Sequence, residues 1–276
     1  MPDHPVTATP GPAPGSRLAD LLEDQILEVQ AALLELGRDP ESMVHDARVA
    51  LRKLRSSLSL FSPLLVTSAA RSLRRELTWL SGELGPARDA QVMLGRMTST
   101  VEAAHPEGVE GDEVIAVFQQ RHDEAFASAR EALASERFTA LLGRLDIARL
   151  RSLVASEAPF EQLAGQDLKR LLRDLEASAD SSDVRLHELR KAVKKARYVR
   201  RVHDDVDAAL KRVQAVLGEH QDSVVARQRL SELPETAFVD SLVAREDEAA
   251  EASEGQLKQA IRKLRKAISQ ADAPYT

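Results

Sequence analysis

A histidine followed by a regular series of arginines and lysines occurs twice in this chain, at residues 45–61 and 187–201. The first segment reads HDARVALRKLRSSLSLF and the second reads HELRKAVKKARYVRR. Counted from each histidine, positions 3, 7, 8 and 10 are basic in both segments. In a helix, positions 0, 3, 7 and 10 lie within an arc of about 80°. Each segment is therefore predicted to form a helix with one cationic face, which repels itself unless an anionic partner neutralises it.

The two basic segments also share an apolar stripe. It contains Val44, Ala50, Leu51 and Leu54 in the first segment and Leu186, Ala192, Val193 and Ala196 in the second. An amphipathic helix buries such a stripe against the core. We therefore expect the cationic face of each helix to line an opening in the folded protein.

The composition predicts an all-α protein. Hydrophobic residues, mostly Leu, Ala and Val, make up 43% of the chain and aromatic residues 3%. Leu, Ala, Glu, Lys and Arg favour helices, whereas residues that favour strands are scarce. Helices are expected to end at Gly85 with Pro86 and at Gly218, and a break near Gly255 is the alternative to one continuous last helix. The predicted helices span residues 17–37, 41–62, 67–83, 86–103, 112–134, 136–154, 162–178, 183–204, 207–218, 220–231 and 235–271.

A second motif repeats after each basic segment. LGPARDAQV at residues 84–92 is similar to LGEHQDSVV at residues 217–225, and an aspartate follows the glycine by four positions in both, Asp89 and Asp222. Two halves with one plan predict two helical bundles related by a pseudo-twofold axis, with both basic faces on a shared central groove. The predicted organisation is a disordered tail at residues 1–16 and one domain at 17–272, divided into halves 17–155 and 162–272.

Charge is concentrated rather than spread evenly. The chain has 38 basic and 44 acidic side chains, for a net charge of −6, yet residues 185–201 contain eight basic residues and one acid, Glu188. A chain that is acidic overall can therefore still hold a strongly positive groove, and affinity for a polyanion depends on that groove.

Several classes of function are disfavoured by what the sequence lacks. Without cysteine there is no disulfide, thiolate nucleophile or cysteine-ligated zinc, which fits the cytoplasm. The sequence shows neither a secretory signal nor a long apolar run, so no membrane-spanning helix is expected. It also shows no Walker loop, Ser–His–Asp order or Gly-rich phosphate loop. We predict no catalytic residue, metal or cofactor, and a protein that is not an enzyme.

The pattern H-x-x-R-V-x-x-R-K-L-R-x-x-L-x-x-F in the first segment resembles the signature of the CHAD family, the conserved histidine α-helical domain. LGPARDAQV and its counterpart in the second half also resemble that family, and the similarity covers residues 17–271. The resemblance implies two related helical bundles around a basic cavity or pore. It further implies binding of inorganic polyphosphate, often at polyphosphate granules. Many relatives carry a fused CYTH triphosphate-hydrolase domain, for which we expect no room here.

The resemblance also implies which residues contact polyphosphate. These are His45, Arg48, Arg52, Lys53, Arg55, His187, Arg190, Lys191, Lys194, Lys195 and Arg197. Further candidates, for which ordinary surface charge is the alternative, are Arg71, Arg74, Arg75, Arg88, Lys211, Arg212, Lys258, Arg262 and Arg265. Gln221 stands in the second half where the first half has Arg88, so a phosphate contact there is doubtful.

The roles of the histidines and aspartates stay open at the level of sequence. His45 and His187 either donate hydrogen bonds to phosphate or make structural hydrogen bonds near a helix start, and the two roles are compatible. Asp89 and Asp222 are expected to hold a neighbouring basic side chain or to cap a helix, with metal chelation as the alternative.

Three functions remain in competition. The first is a non-catalytic protein that binds polyphosphate in the cytoplasm and targets or organises polyphosphate granules. The second is an enzyme acting on polyphosphate or another phosphoanhydride, disfavoured because no carboxylate cluster stands ready to hold divalent metals. The third is a general polyanion binder that takes nucleic acid, disfavoured because few aromatic residues are available to stack on bases.

Overall fold

The computed structural model describes residues 14–106, 109–147, 151–154, 186, 189, 190, 193 and 204–271. The all-α prediction is confirmed: these residues form helices joined by short turns, with one isolated antiparallel bridge between Leu65 and Val154. The helices are α1 (Pro14–Arg38), α2 (Pro40–Leu60), α3 (Thr67–Ala104), α4 (Glu110–Leu133), α5 (Glu136–Leu142), α6 (Asp204–Leu230) and α7 (Ala237–Ala271). A short 3₁₀ helix, Ser62–Leu64, follows α2.

The first core lies between α1, α2, α3, α4 and α5. The junction of α1 and α2 is a tight turn, where the side chain of Asp39 accepts a hydrogen bond from the backbone N–H of Ser42 at 3.1 Å and Pro40 occupies the first helical turn. That arrangement satisfies one of the free N–H groups at the start of α2. The core is filled by aliphatic side chains and three buried phenylalanines, Phe61, Phe126 and Phe138.

The second core lies between α6 and α7. It includes Leu210, Val213 and Leu217 from α6 and Leu257 and Leu264 from α7. Leu186, Leu189 and Val193, from the second basic segment, complete it. The helix predicted there is described only at these positions and at Arg190, all of which are helical. The helix predicted at 162–178 lies outside the described residues.

A third apolar cluster joins the two halves. It is formed by the last part of α3 and the first part of α4 on one side, and by the end of α6 and the start of α7 on the other. Its buried members are Met93, Met97, Val101, Val114, Phe118, Ala226, Leu230, Val239 and Leu242. Because α3 and α4 also line the first core, and α6 and α7 the second, these four helices connect the cores.

The expected break at Gly85 and Pro86 is wrong, because α3 continues through both residues. Proline removes one backbone hydrogen bond, the one to the carbonyl four residues earlier. That carbonyl belongs to Gly82, and Gly82 and Pro86 are both exposed, so water can reach the gap. Leu84 and Ala87 on the opposite side are fully buried. Packing on that side therefore holds the helix together across the proline.

Other predicted boundaries also change. α6 runs through Gly218 and α7 through Gly255, because a single glycine costs a helix only about 1 kcal/mol, which long buried stripes offset. The helix predicted at 136–154 ends at Leu142, where Gly143 caps it. α1 begins at Pro14, inside the predicted tail. The pseudo-twofold relation and the proposed domain limits stay predictions.

Candidate functional site

The amphipathic character predicted for α2 is confirmed. Val44, Ala50, Leu51 and Leu54 are at most 1% exposed, and all four belong to the first core. Leu186 and Val193, their counterparts in the second segment, are also buried, while Ala192 and Ala196 lie outside the described residues. The cationic face of α2 is consequently held away from the core, beside α3.

Positive side chains from α2 and α3 gather there into what we call the basic cluster, formed by His45, Arg48, Arg52, Arg55, Arg74 and Arg88. The pKa of Arg55 is lowered first by burial and then by repulsion from Arg52, Arg74 and Arg48. Arg88 likewise repels Arg48 and His45. Two residues proposed from sequence only as further candidates, Arg74 and Arg88, thus lie near the cationic face of α2. We call the basic residues of that face, His45, Arg48, Arg52 and Arg55, the ladder on α2.

Arg48 of α2 contacts α3 at the repeated Leu–Gly motif. Its Nη2 is 3.6 Å from Oδ1 of Asp89, an ion pair in which the Asp89 side chain is 77% exposed. Its Nη1 lies 2.9 Å from the point where a Cβ on Gly85 would stand. Burial lowers the pKa of Arg48, Asp89 raises it, and Arg52 and Arg88 lower it again. The aspartate and the glycine of the repeated motif therefore position this arginine, as expected for Asp89.

The second half repeats this arrangement. Nη2 of Arg190 is 3.9 Å from Oδ1 of Asp222, and the same nitrogen lies 3.9 Å from a Cβ built on Gly218. The expectation that Asp222 holds a basic side chain is confirmed. Lys191, Lys194, Lys195, Arg197 and His187, the other predicted contacts of this half, lie outside the described residues.

His45 stands exposed at the start of the ladder on α2. Partial burial lowers the pKa of its imidazole, and the positive charges of Arg88, Arg52 and Arg48 lower it further, while Asp46 opposes them. The ring is therefore biased toward its neutral form in the free protein. A bound anion would act in the opposite direction.

The remaining predicted cations are dispersed. Lys53 forms an ion pair with Glu28 of α1, which separates it from the basic cluster. Lys211 pairs with Asp207 one helical turn away at 3.0 Å. The others lie exposed on α3, α6 and α7, as ordinary surface charge would: Arg71, Arg75, Arg212, Lys258, Arg262 and Arg265.

One arginine that no sequence pattern singled out lies where the halves meet. Nε and Nη2 of Arg96 are 2.8 and 2.6 Å from Oε2 of Glu246, whose side chain is only 2% exposed. Nη1 donates to Glu219 at 2.9 Å, and Nη2 also donates to Ser223 at 2.8 Å. Thr100 donates to the other oxygen of Glu246 at 3.1 Å. The only available signal was an arginine on α3 and an acid run on α7, which did not predict their meeting.

The described residues form neither a metal site nor a membrane-spanning helix. No group of three or more histidine, aspartate or glutamate side chains is placed to hold a metal ion within the part of the chain that the structure describes. Over that same part, no helix is both long and apolar enough to cross a membrane.

Comparison with known proteins agrees with the fold and the repeated motifs. A family model, the CHAD domain, matches residues 18–231. Two uncharacterized proteins of Mycobacterium tuberculosis, MT2285 and Rv2226, are each 31% identical to this chain over 258 residues. That match covers 84% of the chain and 50% of each relative, so the chain spans about half the length of these relatives.

Two solved structures share the fold. PptA from Streptomyces chartreusis aligns with a TM-score of 0.76 at 24% identity, covering 91% of this chain and all of that one. The CHAD domain from the plant Ricinus communis aligns with a TM-score of 0.65 at 25% identity, covering 98% of this chain and 92% of that one.

Proposed function

Because this chain belongs to the CHAD-domain family, we propose that it binds inorganic polyphosphate at the basic cluster. The observation that carries the proposal is the gathering of five arginines and a histidine from two helices, with cations acting on one another. Such a group is stabilised by an anion that contacts several of its members at once. Asp46 and Asp89, two acids that act on members of the cluster, are both exposed.

The chemistry of polyphosphate suits this arrangement. The polymer carries about one negative charge per phosphate and offers no bases, so recognition depends on cations and donors spaced along it. Arginine presents a planar fork of N–H donors to phosphate oxygens. Successive members of the α2 ladder are about 4.5–6 Å apart along the helix axis, so one chain can contact several of them.

The second half contributes a matching contact in this proposal. Arg190 is the residue of the second cationic face that the structure describes, and Asp222 holds it as Asp89 holds Arg48. A groove shared by both halves would let one polyphosphate chain contact both, in the pseudo-twofold arrangement that the repeat predicts. The role proposed is non-catalytic, in the cytoplasm, targeting or organising polyphosphate granules.

The test is a titration of the full chain with long-chain polyphosphate at several salt concentrations. We expect binding that weakens steeply as salt rises, because phosphate contacts release counterions. Absence of binding at low salt would refute the proposal. Displacement by RNA or DNA at equal phosphate concentration would indicate a general polyanion binder. Shortening of the polymer in the presence of Mg²⁺ or Mn²⁺, above a buffer control, would indicate an enzyme.

A further inference from the structure

The interactions of Arg96 connect the two halves at a defined point. Arg96 belongs to α3, and its partners Glu219 and Ser223 belong to α6, while Glu246 belongs to α7. The Arg96 side chain is 16% exposed and Glu246 is buried, so the pair lies at the junction rather than on the outer surface. A buried charge of this kind persists only when it is fully paired and hydrogen-bonded.

Two of these helices, α3 and α6, also carry the aspartates that hold the proposed ligand contacts. On α3, Asp89 precedes Arg96 by about two turns, roughly 10 Å along the axis. On α6, Asp222 lies within one turn of both Glu219 and Ser223. Asp89 holds Arg48, and Asp222 holds Arg190. A change in the angle or offset between α3 and α6 at Arg96 therefore moves the two ligand-side arginines relative to each other.

Apolar packing and the Arg96 hydrogen bonds act together at this junction. The joining cluster around Met97 brings α3, α4, α6 and α7 together, but the hydrophobic effect that drives it is non-directional. The guanidinium of Arg96 is a rigid fork with partners on two other helices, so its hydrogen bonds are lost if either helix shifts or rotates.

We propose that Arg96 is a positioning residue for long polyanions, which fixes Arg48 and Arg190 at a spacing that one polyphosphate chain can bridge. This inference rests on the proposed polyphosphate function. A chain held at both halves gains affinity through a high effective concentration at the second contact, and that gain requires matched geometry. A short anion contacts one half only and gains nothing from the match. Arg48 to Arg55 spans about 10 Å of helix axis, which gives the three phosphates of tripolyphosphate room on one ladder.

The experiment compares Arg96→Lys with the wild-type protein for binding of long-chain polyphosphate and of tripolyphosphate. Lysine keeps the positive charge, so the attraction of the whole protein for anions is unchanged, but it lacks the fork that reaches three partners. We expect affinity for the long chain to fall about tenfold and affinity for tripolyphosphate to stay the same. If Arg96 only stabilised the fold, the ratio of the affinities for long-chain polyphosphate and tripolyphosphate would be the same in the variant and the wild type.

The controls separate the possible failures. Arg151→Lys is the matched variant, because Arg151 also contacts two acids, Glu23 and Asp20, but both lie on α1. Glu219→Gln is a milder change at an exposed partner and serves if Arg96→Lys fails to fold; about a threefold loss for the long chain alone is expected. The inference would be overturned if Arg96→Lys bound both anions as tightly as the wild type does, or if it lost affinity equally for both. A wild-type protein that binds neither anion would instead refute the proposed function and the inference with it.

Discussion

The basic cluster and the Arg96 junction use the same side chain in opposite ways. At the junction, burial lowers the pKa of Arg96, but the hydrogen bonds that its guanidinium donates to the carboxylates of Glu246 and Glu219 outweigh burial and raise it overall. In the basic cluster, burial and neighbouring cations lower the pKa values of Arg48 and Arg55, and Asp89, which is paired with Arg48, is exposed. The charge of Arg96 is satisfied by the fold, whereas the cluster concentrates positive charge that an external anion can neutralise.

This difference separates an arginine paired within the fold from arginines proposed to bind a ligand, and it does so by their partners rather than by their exposure. Arg48 and Arg96 are similarly buried, with side chains 21% and 16% exposed. Arg48 is nonetheless paired with an exposed aspartate and lies beside a glycine. Arg96 is instead held by partners on two other helices, α6 and α7.

The largest expected effect is on stability. Arg96→Met leaves the carboxylate of Glu246 buried without its partner, which should lower the free energy of unfolding by about 3–5 kcal/mol. Arg48→Met removes a charge that its neighbours repel, and its effect should be within about 1 kcal/mol. Urea denaturation followed by circular dichroism measures both. Equal losses would remove the distinction between the two regions.

A large effect on binding is expected from reversing charge in the basic cluster. The double variant Arg48→Glu and Arg55→Glu loses two charge-assisted contacts and adds repulsion, so affinity for polyphosphate should fall at least about 100-fold. Isothermal titration calorimetry at low salt checks this. Arg151→Glu changes one charge on an exposed side chain outside the cluster and should have little effect. If that control weakened binding as strongly, net charge rather than the cluster would be responsible.

A smaller effect is expected from adding one methyl group beside Arg48. In Gly85→Ala the new Cβ lies 2.9 Å from Nη1 of Arg48, so the flexible guanidinium must move. Polyphosphate affinity should fall about threefold while helix stability rises by up to about 1 kcal/mol. Gly82→Ala, on the same helix with nothing within 4 Å, should gain stability without losing affinity. Matching affinities for the two variants would show that Arg48 is not held in a functional position.

The smallest expected effect concerns pH and His45. Because its pKa is lowered in the folded protein, the unfolded chain binds more protons near the ordinary histidine pKa of about 6.5, so stability should decline as pH falls through that value. Bound phosphates favour the protonated ring, so polyphosphate affinity should instead rise about twofold on acidification. Thermal denaturation and binding from pH 8 to 5.5 measure these opposite trends. His45→Gln should weaken both trends, and an unaltered pair of profiles would show that His45 does not cause them.

Local pattern predicted most of the fold and part of the site. The periodicity of α2 identified both its buried stripe and its cationic face, since each repeats every three to four residues. The duplicated Leu–Gly motif identified Asp89 and Asp222 as equivalent positions, each expected to hold a basic side chain or to cap a helix. The role of Arg74 in the basic cluster was less certain, because a single arginine on a neighbouring helix resembles any surface charge until the two helices are placed together.

The errors came from features that depend on distant packing. Pro86 and Gly218 carry strong local signals for ending a helix, but buried residues on both sides of each position outweigh them. Arg96 and Glu246 are far apart in sequence and follow no repeat, so their pairing depends on how α3 and α7 cross. The position of Lys53 is basic in both segments, as that of Arg52 is, yet Lys53 lies on another side of α2 and pairs with Glu28.

The uninterrupted course of α3 across Pro86 has a consequence for any attempt to divide the protein. Its 38 residues form a rod roughly 57 Å long, whose first stretch belongs to one bundle and whose last stretch carries Met93, Met97 and Val101 toward the other. A truncated version ending near residue 155 would leave those side chains bare to solvent and invite aggregation. We therefore expect the two predicted halves to depend on each other for solubility and to fold together.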